Sequence, residues 1–249
     1  MSTRNSTASG TLELAREFAE DYSPQPTVAL LAGSRAKGTH SRNSDYDLVL
    51  LYPDLPEGAW REMVSYQNEL FEIFAHDLRS LEYFLCEIER PSGEPSLACM
   101  VDEGIPVLGI GTPLESVAKK LARDFLASGP TPLDDAGIGQ RRYAITDMAE
   151  AISNAGSTAQ RLAIGSALYA ALGNFVLAAN GRWTAAGKAL PAALEIHSPG
   201  MQQAFTSAFE QLYTQGNDSL VQDLVSKTLK PFGGRLRAGF RQQAPASWR

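Results

Sequence analysis

The sequence predicts an α+β chain in two parts: a small mixed β-sheet with helices over residues 11–111, and an all-helical bundle over 112–249. Three observations predict it. Short apolar runs at 27–32, 46–52 and 105–108 have the length of buried strands and are bounded by polar or glycine residues. Residues 70–77 alternate Phe71, Ile73 and Ala75 with Glu72, Phe74 and His76, the two-residue period of a strand. From Thr112 onward the text becomes nearly all helical, opening with Thr112-Pro113-Leu114-Glu115, a capping box with proline at the first helical position.

Taken in order, residues 1–10 read as a disordered start and 12–22 as an amphipathic helix packing on the sheet. Thr27 to Ala32 then form a strand that delivers Gly33 and Ser34 to a turn followed by a helix. Tyr46 to Tyr52 form the next strand, apolar except at its start. Residues 61–66, followed by the polar break Gln67-Asn68-Glu69, suggest a hairpin partner for the strand carrying Glu72. Ser80 is the expected N-cap of a helix burying Leu81, Phe84, Leu85 and Ile88, and Ile105-Pro106-Val107-Leu108 is an edge strand, where proline is tolerated. In the second part Val117, Leu121, Phe125 and Leu126 make one helical stripe ended by Ser128-Gly129-Pro130. Further helices are expected at about 135–152, 158–179, 185–194, 202–213 and 219–227. The small residues of Leu162 to Leu168 permit close helix packing.

The chemistry concentrates in Gly33-Ser34 and, ten residues later, Asp45-Tyr46-Asp47. Gly33 leaves room for a phosphate to approach the backbone, the Ser34 hydroxyl can donate to it, and a helix starting there adds free N–H groups. Lys37 sits about one turn on, within reach of the same anion. Asp45 and Asp47, two residues apart in extended chain, project to one face roughly 6.5–7 Å apart. Two such carboxylates repel each other unless a cation lies between them, and hard oxygen ligands favour Mg²⁺ or Mn²⁺, the simplest case being Mg²⁺ carrying a nucleoside triphosphate. Glu72 supplies a third acid, able to share a second metal or to take the proton of an acceptor hydroxyl if its strand lies beside that of Asp47.

Gly33-Ser34, Asp45-x-Asp47 and Glu72 together resemble the signature of the polymerase-beta-like nucleotidyltransferase superfamily, and within it most resemble the bacterial aminoglycoside and lincosamide type nucleotidyltransferases with a C-terminal helical domain. The resemblance covers roughly residues 25–110, most specifically Gly33 to Gly38 and Ser44 to Leu48. Two positions depart from the commoner pattern: Lys37 stands where many relatives carry arginine, losing the bidentate fork, and Glu72 where many carry aspartate. The resemblance implies transfer of AMP from ATP to a hydroxyl of a small molecule, an aminoglycoside-like antibiotic or another metabolite, with release of pyrophosphate. In it Asp45 and Asp47, with Glu72, hold one or two Mg²⁺, Gly33, Ser34 and Lys37 position the β- and γ-phosphates, and Glu72 deprotonates the acceptor. Arg42 is a further phosphate candidate. It also implies that the helical part holds the acceptor and some of the nucleotide, with Lys188, in Arg182-Trp183-Thr184-Ala185-Ala186-Gly187-Lys188, reaching toward the triphosphate. Two rival readings accompany it: a protein-adenylylating member of a toxin and antitoxin pair, and a catalytically silent nucleotide-binding module.

Composition narrows the field. A net charge of −6 argues against a general nucleic-acid binder, which needs a basic surface to displace counterions. Lys230, Arg235, Arg237, Arg241 and Arg249 read as a solvated helix and tail. Arg141, Arg142 and Asp147 are explained equally by a cleft-facing surface and by helical salt bridges. Cys86 and Cys99 have no zinc-like spacing and are expected to be reduced, buried thiols, and His40, His76 and His197 are too scattered for a histidine metal site. With no apolar leader and no run expected to match a membrane span, a cytoplasmic location is expected.

Overall fold

The structure, a computed structural model, describes residues 2–244, with side chains from residue 10 onward. Arg249 of the basic tail thus lies outside the described residues. The described residues pack into two compact units that divide between Gly129 and Pro130.

In the first unit, helix α1 (Ser2–Asp21) leads to β1 (Val28–Leu31), the one-turn helix α2 (Gly33–Ala36) and β2 (Tyr46–Leu51). Strands β3 (Trp60–Tyr66) and β4 (Glu69–His76) form a hairpin whose two turn residues, Gln67 and Asn68, both have positive φ. That is the turn whose twist matches the flanking strands, and asparagine tolerates it best after glycine. Short helices α3 (Leu78–Tyr83) and α4 (Arg90–Ser92) flank a π-helical turn at Phe84–Glu89. Helix α5 (Ser96–Glu103), strand β5 (Ile105–Leu108) and helix α6 (Pro113–Ser128) complete the unit. The sheet order is β3-β4-β2-β1-β5, with β2 and β4 parallel and every other neighbouring pair antiparallel. This is the expected mixed sheet, with β5 on an edge where Pro106 needs no ladder partner on one side.

Side-chain alternation sorts the sheet into two faces. One carries Ala29, Leu31, Leu48, Leu50, Phe71 and Ile73 against Ala15, Phe18 and Ala19 of α1. There the Phe71 ring stacks between Phe18, at 4.1 Å, and Tyr46, at 4.5 Å. Truncating so central an aromatic costs about 3–5 kcal/mol. The opposite face carries Asp47 and Glu72, then Val49 with Phe74, then Leu51 with His76, in register across the parallel pair. Helices α3 and α5 pack against β4 and β1.

Four expectations are corrected here. Helix α1 starts at Ser2 and not near residue 11, because adding a residue to a formed helix is far cheaper than starting one, even for serine and threonine. The N-cap of α3 is Asp77, and Ser80 is the third helical residue: the Asp77 carboxylate accepts from Ser80 N at 2.7 Å, and Asp77 N donates to the Ser80 hydroxyl at 3.0 Å. Of that helix's expected buried side, Leu81 and Leu85 are buried while Phe84 and Ile88 are exposed, the π-helical turn changing the phase of the stripe. The unit boundary also falls one helix later than residue 112. Although Thr112 caps α6 as expected, Ala118, Ala122 and Phe125 are buried, α6 packs along α5, and Arg90 ties its end by donating to Gly129 O at 2.9 Å.

The second unit holds α7 (Asp135–Ser153), α8 (Thr158–Ala179), α9 (Leu190–His197), α10 (Met201–Gln215) and α11 (Ser219–Leu229). Their core is built on Ile145, Leu168, Leu172, Phe175, Phe205 and Phe209. Close packing at the small residues is real: a Cβ on Gly165 would lie 2.9 Å from the Tyr213 ring. Helix α9 begins at Leu190, later than the expected residue 185, because Gly187 has a φ of +50 in a 3-10 turn and Pro191 favours the first helical turn. Helix α8 meets the length and composition of a membrane span, which corrects the expectation that no run would. Its Leu168, Leu172, Phe175 and Val176 are buried in the helical core. Arg142 donates to Gly233 O and Gly234 O, and Arg237 pairs with Asp147 and Glu150, so these charges strap the C-terminal segment to α7.

Candidate active site

The open ends of β1, β2 and β4 bring the three acids together. Asp45 immediately precedes β2, Asp47 lies within it, and Glu72 is the register partner of Asp47 across the parallel pair. One carboxylate oxygen from each lies within 4.8 Å of the others, and all three residues are half-buried. Sequence spacing alone placed the aspartates together; the parallel pairing adds Glu72.

Gly33 is the reason the cluster meets a turn. Its φ is +63, and a Cβ built on it would lie 1.8 Å from Asp47 Oδ2. Only glycine lets the backbone pass this close to the carboxylate while holding that conformation. Ala32 N donates to Asp47 O at 2.8 Å, which fixes the turn to β2. Ser34 is half-buried on α2, whose first N–H groups have no intrahelical acceptor. Beside the turn lies a cleft of about 270 Å³ lined by Gly33, Lys37, Ser96, Cys99 and Glu103.

The basic residues divide. Lys37 is mostly exposed and pairs with Glu103 at 2.7 Å. Such an exposed pair is worth about 0–1 kcal/mol and is readily exchanged for a phosphate. Arg42 is exposed on the loop before Asp45. Lys188 is exposed in the 3-10 turn of the second unit. Arg35 is different: its side chain is only 7% exposed, it donates to Ser44 O and Asp45 O, it pairs with Glu69 at 2.7 Å, and its guanidinium lies 3.7 Å from the Tyr46 ring centroid. Arg35 therefore positions the backbone of Asp45.

One partner was missed from sequence. Arg61 donates from Nε to Glu72 Oε1 at 2.6 Å and lies 5.1 Å from the Phe74 ring centroid. Counting back from the Gln67-Asn68 turn puts Met63 opposite Glu72 and Arg61 diagonally beside it, so the signal was present in the hairpin register. His76 continues the Glu72 face; it is buried, its Nδ1 has no hydrogen-bond partner, and burial lowers its pKa to about 4, so the ring is neutral at pH 7. Cys99, half-buried rather than buried, has its thiol pushed up to about 11 by burial and by Glu103, which makes it a poor nucleophile. Cys86 is half-buried too, and both thiols are free.

Hard oxygen donors from three carboxylates, converging beside a glycine that admits an anion to the backbone, fit a divalent metal of the Mg²⁺ type. An acid cluster of this kind at the strand ends, beside a glycine turn, has the donors that metal-assisted phosphoryl-group transfer requires. The family model described as Nucleotidyltransferase domain matches residues 12–90, the stretch that holds every residue of the cluster. The crystal structure of a nucleotidyltransferase-like protein from Exiguobacterium sibiricum is similar at 13% identity and a TM-score of 0.41, over 86% of this chain and 71% of that one. A comparison with curated proteins returns no match.

Proposed function

We propose that the protein transfers AMP from ATP to a hydroxyl group of a small molecule, releasing pyrophosphate. The observation that carries this reading is the convergence of Asp45, Asp47 and Glu72 within 4.8 Å beside the Gly33 turn. Asp45 and Asp47, with Glu72, would hold one or two Mg²⁺, which when bound neutralises phosphate charge and polarises the α-phosphate. Gly33 and Ser34 offer N–H groups and a hydroxyl to the β- and γ-phosphates, with Lys37 and Arg42 as mobile counter-charges. Glu72, steadied by Arg61, accepts the proton of the acceptor hydroxyl. The acceptor oxygen then forms a bond to the α-phosphorus as the bond from that phosphorus to the bridging oxygen breaks and pyrophosphate leaves. What the chain contributes is mainly position and charge. Lys188 is assigned to the triphosphate by the resemblance of its segment alone. The free thiols Cys86 and Cys99 support a cytoplasmic setting.

The test is the thermal midpoint with each of the four nucleoside triphosphates, with and without Mg²⁺, on the native chain and on Asp47→Ala. A magnesium-dependent rise with ATP that vanishes in the variant is expected. No rise with any nucleotide at millimolar concentration refutes the reading.

A further inference from the structure

Along β4 the acid face continues from Glu72 to Phe74 and His76, each step roughly 6.5–7 Å. One step past Glu72, a second cavity of about 270 Å³ opens, lined by Trp60, Phe74, His76, Phe84, Ile88 and Met100. It lies wholly within the first unit. Its walls are apolar, and two of them, Phe84 at 37% and Ile88 at 48% exposed, leave aliphatic and aromatic surface facing water. The π-helical turn Phe84–Glu89 presents both, and such turns recur at functional sites.

The charges around the cavity are accounted for. Arg61 stands at the rim, over Phe74 and paired with Glu72. The Glu89 carboxylate is 7% exposed and is taken by the N–H groups of Leu97 and Ala98 at the start of α5. His76 is 4% exposed with an unpartnered Nδ1. Among the described residues lining the cavity the one carboxylate, Glu89, is already taken, and a cationic acceptor would meet the Arg61 guanidinium at the rim. Ligand cavities for drug-sized molecules run about 300–1,000 Å³, so this one holds a single ring or a short branched chain and not a linked set of aminosugars.

We propose that this cavity seats the apolar body of the acceptor: a hydroxylated compound with an aromatic or branched aliphatic group and no net positive charge, its hydroxyl directed along β4 to Glu72. The inference depends on the nucleotidyl-transfer reading for its chemistry but not for binding, so the two are separable. His76 Nδ1 offers one polar contact to a second substituent, and a buried polar atom left unpaired by a wrong ligand disfavours that ligand.

The experiment takes the full chain and follows binding of benzyl alcohol, 3-phenyl-1-propanol, cyclohexylmethanol and kanamycin by saturation-transfer NMR, then pyrophosphate release with each in the presence of MgATP. The native chain is compared with Ile88→Trp, which fills the cavity from a half-exposed position, and with Phe84→Ala, which widens it. Expected are saturable binding of at least one apolar alcohol, at least tenfold more turnover with it than with kanamycin, and a fivefold or greater loss of both in Ile88→Trp while the MgATP-induced thermal shift is unchanged. Phe84→Ala is expected to weaken binding of the smallest alcohol, which keeps the test alive if Ile88→Trp folds poorly. Failure of every apolar alcohol to bind, binding untouched by both variants, or preference for kanamycin overturns the inference while a MgATP shift leaves the transferase reading intact. Alcohol binding that responds to the variants without any MgATP shift supports the cavity and overturns the transferase reading.

Discussion

Replacing Gly33 by alanine separates the backbone's role in the site from its role in the fold. Two costs add at this position. Holding a non-glycine residue at a φ of +63 costs roughly 1–2 kcal/mol, which for a chain of this size lowers the midpoint by about 2–8 °C. The second cost is local: the new methyl would sit 1.8 Å from Asp47 Oδ2, so the carboxylate must swing away or the turn must open. A displacement of about 1 Å in a positioning group costs about 100-fold in rate. Gly33→Ala should therefore lose at least about 100-fold in pyrophosphate release, together with the MgATP-induced thermal shift, while still unfolding cooperatively. Gly38→Ala is the control, since Gly38 has a φ of +66 but no atom within 4 Å of its built Cβ. It should show the same stability loss with activity preserved. Activity of Gly33→Ala within threefold of native would refute the claim that the turn is shaped around Asp47.

Other perturbations report on other parts of the site. Arg35→Ala removes contacts to Ser44 O, Asp45 O and Glu69 from a buried guanidinium, so urea unfolding should show a loss of about 2–4 kcal/mol and nucleotide binding should weaken with it. Lys37→Ala breaks only an exposed pair: stability should change by less than about 0.5 kcal/mol, whereas MgATP affinity by calorimetry should fall about tenfold. His76 has a folded-state pKa near 4 against an ordinary value of 6.5, so the unfolded chain binds the extra proton first. Its contribution is fully present above pH 6.5 and is lost as pH falls toward 4, up to about 3 kcal/mol. His76→Gln should accordingly flatten the fall in stability between pH 6.5 and 4.5; an unchanged slope would mean that the ring is not buried as described.

What could be read from the sequence was what neighbours in the chain decide. Gly33-Ser34 after an apolar strand and Asp45-x-Asp47 before another are local patterns, and strand periodicity alone puts both aspartates on one face. The hairpin was legible because the polar break Gln67-Asn68-Glu69 interrupts two runs of strand character. Pairings between distant segments were not. Nothing local says that β2 runs parallel to β4, yet that register makes Glu72 the partner of Asp47 instead of an isolated acid in a strand. Arg35 and Arg61 show the same limit from opposite sides. Arg35 follows the Gly33-Ser34 turn in the chain yet is spent on Tyr46, Asp45 and Glu69, and Arg61, at the far end of the hairpin, steadies Glu72. A guanidinium's role is set by which acceptors the fold leaves nearest to it, and those acceptors are nine to thirty-four residues away in the chain. Lys37, paired only with an exposed carboxylate, and Arg42, exposed on its loop, are the two of the motif's cations that can exchange water or a surface carboxylate for a triphosphate at little cost, as the proposed nucleotide role requires.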